Sequence, residues 1–192
     1  MARPRQSGID DAVLEACRAL LGEMGRARLT RQQIARRAGV SLPAMTRRFA
    51  AVEDVVLAVA ASPPLRAPLP ESSTDTVRDR LVAVAQRSLA ELRTPEQRRA
   101  EVEVLAAAAG DPRVARALAA TTSRAADEAV AWLRAAPAGD DCSAELDLAL
   151  VLDLVEGAVR QRLLRRASTL DEQEVEQVVD LVLAGARDLP RR

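Results

Sequence analysis

The chain is 192 residues long, 48% hydrophobic and 29% charged, a mixture that allows one or two folded domains and excludes a disordered chain. It has no His and no Tyr, its aromatics are Phe49 and Trp132, and all 28 basic residues are Arg. Without His, the commonest acid/base group and metal ligand near neutral pH is missing, so no catalytic residue, no metal site and no cofactor is expected.

The formal charge sums to zero, but unevenly. Residues 1–50 hold ten Arg against the acids Asp10, Asp11, Glu15 and Glu23, a net of +6, and the other 142 residues hold 18 Arg against 24 acids. A basic head on an acidic body suits a head that meets phosphates; a solvated Arg-rich surface has the same composition, and charge alone leaves both readings open. Residues 1–10 lack the apolar core of a signal peptide, and the longest apolar run, 55–61, is far short of a membrane span. A cytoplasmic protein without membrane contact is expected. Two Cys cannot build a disulfide scaffold. Cys17 falls on an apolar stripe, and Cys142 lies in a polar loop behind Asp140 and Asp141, which disfavour a thiolate.

In chain order, Ile9, Val13, Leu14, Cys17, Leu20, Leu21 and Met24 keep one apolar face over four helical turns. Asp10 or Asp11 is positioned to cap that helix, and Gly25 to end it. Thr30 is the N-cap of a second, short helix with Ile34, Ala35 and Ala38 inward, and Gly39 stops it. After Val40, Ser41 caps a third helix through Met45 to Phe49, with Pro43 tolerated in its first turn. Two short helices joined through Ala38, Gly39 and Val40 are the sequence form of a helix-turn-helix.

Val52, Val55, Val56 and Val59 mark a fourth helix, and Pro63, Pro64, Pro68 and Pro70 place a domain boundary at 62–74. Five more helices follow: 76–93, 95–109, 112–136, 143–167 and 171–188. The fold class is therefore all-α with about nine helices, divided into an N-terminal domain 1–61, a linker 62–74 and a C-terminal domain 75–192. The helix 143–167 carries Leu146, Leu148, Leu150, Val151, Leu152, Leu154 and Val155, more than one stripe holds, and 171–188 repeats this with Val175, Val178, Val179, Leu181, Val182 and Leu183. Both helices are either central in a monomeric bundle or paired across a homodimer; the small chain favours the dimer.

The stretch 25–49, GRARLTRQQIARRAGVSLPAMTRRF, followed by VEDV at 52–55, resembles the DNA-binding domain of the TetR family of regulators. The agreement rests on Thr30, Ile34, Ala35, the turn Ala38, Gly39, Val40, Ser41, and Phe49. Thr46 and Val52 depart from it, since the family usually has Tyr and Lys there.

The resemblance implies a three-helix DNA-binding head and a C-terminal ligand-binding and dimerisation bundle. It also implies a repressor whose grip on a palindromic double-stranded operator is released by a small-molecule effector. In a helix-turn-helix the second helix enters the major groove with its N-terminal part against base edges, here Ser41, Leu42, Pro43 and Ala44, followed by Thr46, Arg47 and Arg48. Arg47 is the candidate base reader, since Arg donates twice to guanine, while Pro43 and Ala44 suit thymine methyls. Thr30, Arg31, Ser41, Thr46 and Arg48 suit phosphates, and Arg3 and Arg5 form a candidate flexible arm. An apolar pocket is expected between 76 and 163 around Trp132, with Arg124, Asp127 and Glu156 as polar anchors.

Two other readings differ in class. An enzyme lacks every motif it would need: there is no phosphate-binding glycine loop, no metal-ligand cluster and no nucleophile with a His base. A helical ligand-binding or protein-interaction dimer with a degenerate DNA-binding head is permitted by Thr46 and Val52, and the retained +6 charge argues against it.

Overall fold

The computed structural model of the chain describes residues 4–62, 76–137, 146–166, 168 and 170–187. Among them the structure is all-helical: α1 Pro4–Met24, a 3-10 turn Arg26–Arg28, α2 Arg31–Arg37, α3 Leu42–Thr46, α4 Val52–Ala61, α5 Val77–Glu91, α6 Pro95–Gly110, α7 Pro112–Arg134, α8 Leu148–Arg160 and α9 Glu172–Arg187. A π-helical turn, Gln161–Arg165, extends α8. The Pro-rich boundary beyond Ser62 and the loop holding Cys142 lie outside the described residues.

Helix starts follow side-chain chemistry. At Thr30/Gln33, Thr76/Asp79 and Thr94/Gln97 the Thr hydroxyl accepts from the third helical N–H and the third side chain accepts from the Thr N–H. Asp171 and Glu174 exchange the same pair of bonds at 2.8 and 3.1 Å. Each cap satisfies donors that a helix N-terminus otherwise leaves unpaired. Two predicted helix starts differ by several residues. α1 starts at Pro4, a residue suited to a first helical turn, so Asp10 and Asp11 lie inside the helix rather than capping it, and Arg5 belongs to α1 rather than to a flexible arm; Arg3 lies outside the described residues. α8 starts at Leu148 rather than 143, because Asp147 accepts from Leu150 N at 3.1 Å and caps it there.

The chain forms two compact units. One comprises residues 1–64 and 94–122. In it α1 packs on α2, α4 and, most extensively, α6. Val13, Cys17 and Leu21 of α1, Ile34 of α2, Met45 of α3 and Val55 of α4 are completely buried, and Val104 and Ala107 of α6 and Val114 of α7 join the same core. Truncating one of the large members to Ala costs about 2–5 kcal/mol. The sequence placed 95–109 with the C-terminal bundle; in the structure it packs with the N-terminal helices.

The other unit comprises 65–93 and 123–192. α5 packs on α8 and α9, and α8 on α9, around Leu81, Val84, Leu133, Val151, Val155, Leu163, Val175 and Val179. On α8, Leu148, Val151, Leu152, Val155 and Val159 face this core, leaving Leu150 and Leu154 at 45% and 50% exposure; Leu181 on α9 is 75% exposed. The excess of apolar residues read from the sequence is thus a second, uncovered face.

Candidate nucleic-acid interface

The turn between α2 and α3 is set by its backbone. Ala38 still has helical geometry, Gly39 takes φ +67°, and Val40 N donates to Ala35 O at 3.0 Å, so the chain reverses within three residues. The left-handed conformation is the one glycine adopts at no steric cost. Ser41 then accepts from Ala44 N at 3.3 Å and starts α3, with Pro43 in its first turn. α3 ends at Thr46, short of the predicted Phe49, and Arg47 and Arg48 close it in a turn. Its single fully buried residue is Met45; Ser41, Leu42, Pro43, Thr46 and Arg47 are exposed and Ala44 is half-buried. Ser41, Leu42, Pro43, Thr46 and Arg47 are thus accessible on and beside a short helix whose fully buried residue is Met45.

The arginines of the basic head divide into two kinds. Arg31 donates to Ala50 O at 2.6 Å, tying α2 to the loop before α4. Arg37 meets Glu23 through both nitrogens, at 2.7 and 3.2 Å, tying α2 to α1. Arg18 donates to the carbonyls of Val59 and Ser62 at 3.2 and 2.6 Å, satisfying the C-terminal end of α4. Arg48 pairs with Asp10 at 2.8 Å and is three-quarters covered. Arg36 and Arg47, by contrast, are exposed and engage no ion pair or side-chain hydrogen bond among the described residues. Sequence reasoning overlooked Arg36; what would have singled it out is its neighbour, since Arg37 and not Arg36 is placed to reach Glu23. Thr30, exposed, spends its hydroxyl on Gln33.

Elsewhere in this unit, Arg26, Arg28 and Arg99 share a cleft of about 690 Å³ with Glu53 and Glu103. Two carboxylates offset most of the charge of its three guanidiniums, and Arg26 N donates to Glu103 Oε2 at 3.1 Å. It contains none of the recognition residues.

In the second unit, Arg124 and Asp127 are exposed, Trp132 is half-buried against the core, and Glu156 accepts from the buried Ser88 hydroxyl at 3.2 Å and pairs with Arg160 at 3.9 Å. Trp132 is held by Arg80, 5% exposed, which donates to the Trp132 carbonyl and lies with its guanidinium carbon 4.9 Å from the ring centroid. That carbonyl belongs to the last turn of α7, where backbone acceptors lack helical partners and a cation is favoured. Arg80 and Ser88, both missed from sequence, share one face of α5 with apolar residues, and a polar residue on such a face reads as core patterning broken rather than as a contact.

A profile of the tetracyclin repressor-like C-terminal domain matches residues 69–182, more than half of the chain. The chain belongs to the TetR family of transcriptional regulators. Solved structures of TetR-family proteins share its fold over nearly the whole length. A putative TetR-family transcriptional regulator from Mesorhizobium loti has 15% identity and a TM-score of 0.66, covering 95% of this chain and 96% of its own. The TetR family transcription regulator SCO0332 has 25% identity and a TM-score of 0.65, covering 92% and 97%. The flavonoid-responsive regulator FrrA has 22% identity and a TM-score of 0.61, covering 96% and 98%. A comparison with curated protein sequences returns no match. The profile match covers Trp132 and Glu156 but not the helix-turn-helix of this TetR-family chain.

Proposed function

We propose that this TetR-family regulator is a ligand-responsive repressor that grips a palindromic operator as a homodimer and is released by a small, mainly apolar effector bound in the C-terminal unit. The observation that carries the reading is the exposure of Ser41, Leu42, Pro43, Thr46 and Arg47 on and beside α3, with Arg47 engaging no ion pair or side-chain hydrogen bond among the described residues. A guanidinium left without a protein carboxylate is available for the major-groove edge of guanine, and Arg36 adds charge for phosphates. Thr30, Arg31 and Ala44 complete the proposed DNA-facing set, with Thr30 and Arg31, like Arg48 beside them, already engaged within the head.

Homodimerisation would use α8 and α9, whose exposed Leu150, Leu154 and Leu181 lie outside the core of their own unit. Trp132 and Glu156, with Arg124 and Asp127 at the surface, mark the region proposed for the effector. The name of the flavonoid-responsive relative supports effector control on this fold and leaves the chemistry of this protein's own effector to its own residues. Coupling of about 1–3 kcal/mol between effector and DNA suffices for release. Operator binding would place the protein in the cytoplasm, and no helix among the described residues is long and apolar enough to cross a membrane.

The test is fluorescence anisotropy with duplexes enriched from a randomised pool by the full-length protein. The expected result is sequence-selective binding that weakens with salt, and an Arg47→Ala variant that loses about 1–3 kcal/mol at the base it reads. Weak binding, equal on scrambled DNA, overturns this reading in favour of a ligand-binding or protein-interaction dimer with a degenerate head.

A further inference from the structure

We infer that the Asp10–Arg48 ion pair positions the recognition helix, and that Arg48 serves DNA recognition through Arg47 rather than by holding a phosphate. The inference rests on the reading of the head as a DNA-binding module.

α3 is five residues long and has one fully buried side chain, Met45. Met45 is the anchor within the helix, and Val40 and Phe49 on either side are only partly buried against the same core, so apolar packing alone leaves so short a helix some freedom to rock and rotate. The residues that would touch bases, Ser41 to Ala44 and Thr46 to Arg47, are the ones such a rotation would displace. Arg48 removes this freedom. Its Nε lies 2.8 Å from Asp10 Oδ1 on α1, and its Nη1 donates to the Ala44 carbonyl, one turn back on α3, at 3.4 Å. One guanidinium thus links α1 to the middle of α3 from the residue that closes it. The side chain is 23% exposed, whereas its neighbour Arg47 stands exposed.

Asp10 decides between the two roles for Arg48. A carboxylate 2.8 Å from the guanidinium repels an incoming phosphate and competes for the same donors, so if Arg48 were a phosphate contact, Asp10 would oppose DNA binding and its removal would tighten it. If the pair positions α3, removing Asp10 weakens binding although it makes the head more positive. The two roles predict opposite signs for one substitution.

They also differ in selectivity. Losing a phosphate contact weakens all duplexes alike and lowers the salt slope by about one, whereas misplacing a base reader lowers the preference for the right sequence. A variant that merely unfolds part of the population loses affinity for every duplex equally, leaving the preference unchanged.

The experiment compares full-length wild type, Asp10→Ala, Arg48→Ala, the doubly substituted protein and the exchange Asp10→Arg with Arg48→Asp, on an enriched and a scrambled duplex over a salt series. A partly exposed ion pair is worth a factor of up to about five. The expected result is therefore a preference for the enriched duplex reduced about three- to fivefold in both single variants. The double variant should show no further loss, the salt slope of Arg48→Ala should be unchanged, and the exchange should recover part of the preference. Tighter binding by Asp10→Ala, or an unchanged preference with a slope lowered by about one in Arg48→Ala, overturns the positioning role while leaving DNA recognition standing. Failure of the wild type to enrich any sequence overturns both.

Discussion

Gly22 of α1 faces the main-chain carbonyl of Glu96 in α6 so closely that a Cβ at position 22 would collide with backbone, not with a movable side chain. The first-turn carbonyl of α6 is thereby pressed onto the helix that carries the rest of the N-terminal core. Arg99 reinforces the contact by donating to Glu23 O at 3.3 Å. Replacement of Gly22 by Ala raises helix propensity by about 1 kcal/mol, but it forces α1 and α6 apart, which in a packed interior costs about 1–3 kcal/mol. The expected outcome is a lower urea midpoint for Gly22→Ala and a raised one for Gly8→Ala, since Gly8 lies in the same helix with nothing within 4 Å of its Cβ position. Equal shifts for the two variants would mean that α1 and α6 do not meet in this way.

Which parts of this structure could be read from the sequence follows from whether the information is local. The turn Ala38 to Ser41 was legible because a positive-φ glycine and a Ser cap leave a signature in four consecutive residues. The apolar stripe from Val13 to Leu21 was legible because its period is that of the helix itself. The start of α8 was misread by five residues, since Leu146 continues the apolar pattern while Asp147 supplies the cap that overrides it. Neither the grouping of α6 with the N-terminal helices nor the division of the arginines could be read at all. Arg31, Arg37 and Arg48 look no different from Arg36 and Arg47 in a linear chain. What separates them is a carbonyl 19 residues away for Arg31 and carboxylates 14 residues away for Arg37 and 38 for Arg48, and such pairings arise only once the helices have packed.

Leu154 and Leu181 are half and three-quarters exposed, with Leu150 of α8 at 45%, on helices that bury Val151, Val155, Val175 and Val179. Large apolar side chains at that exposure favour a partner surface, and the proposed homodimer supplies one from a second copy. Glu at both positions adds two charges to each copy's share of the contact while leaving the core side of α8 and α9 untouched. Light scattering behind size exclusion is expected to show a dimer for the wild type and a monomer for Leu154→Glu/Leu181→Glu, with helical circular dichroism retained in both. A doubly substituted protein that stays dimeric would place the interface elsewhere.

Cys17 is completely buried between α1 and its neighbours, and burial pushes its thiol up to about 12. Near pH 8 only about one molecule in ten thousand would carry the thiolate, the species that reacts. In a Cys142→Ser background, which isolates this thiol, iodoacetamide at pH 8 is expected to leave the native protein unmodified over an hour and to label it fully in guanidinium. Stoichiometric labelling of the native state would show that α1 opens on that timescale.

Arg78 on α5 grips two carboxylates of α9, with Nε 2.5 Å and Nη2 2.9 Å from the two oxygens of Asp180 and Nη2 3.1 Å from Glu176. The Arg78 hydrogen bonds hold the Asp180 carboxyl below the ordinary carboxylate range. A carboxylate whose folded pKa is depressed stabilises the fold fully above its unfolded value, near 3.9, and the contribution disappears as pH falls through the folded value. Asp180 is 52% exposed and Arg78 33%, so solvent screens the pair and its contribution is about 0.5–1 kcal/mol despite the forked geometry. Urea unfolding at pH 7 should therefore find Asp180→Asn less stable than wild type by about that amount. The difference should shrink as pH is lowered from 5 towards 3, and should also shrink in 1 M salt at pH 7. A stability difference that stays constant over that pH range would mean that the amide disturbs α9 by some route other than its lost charge.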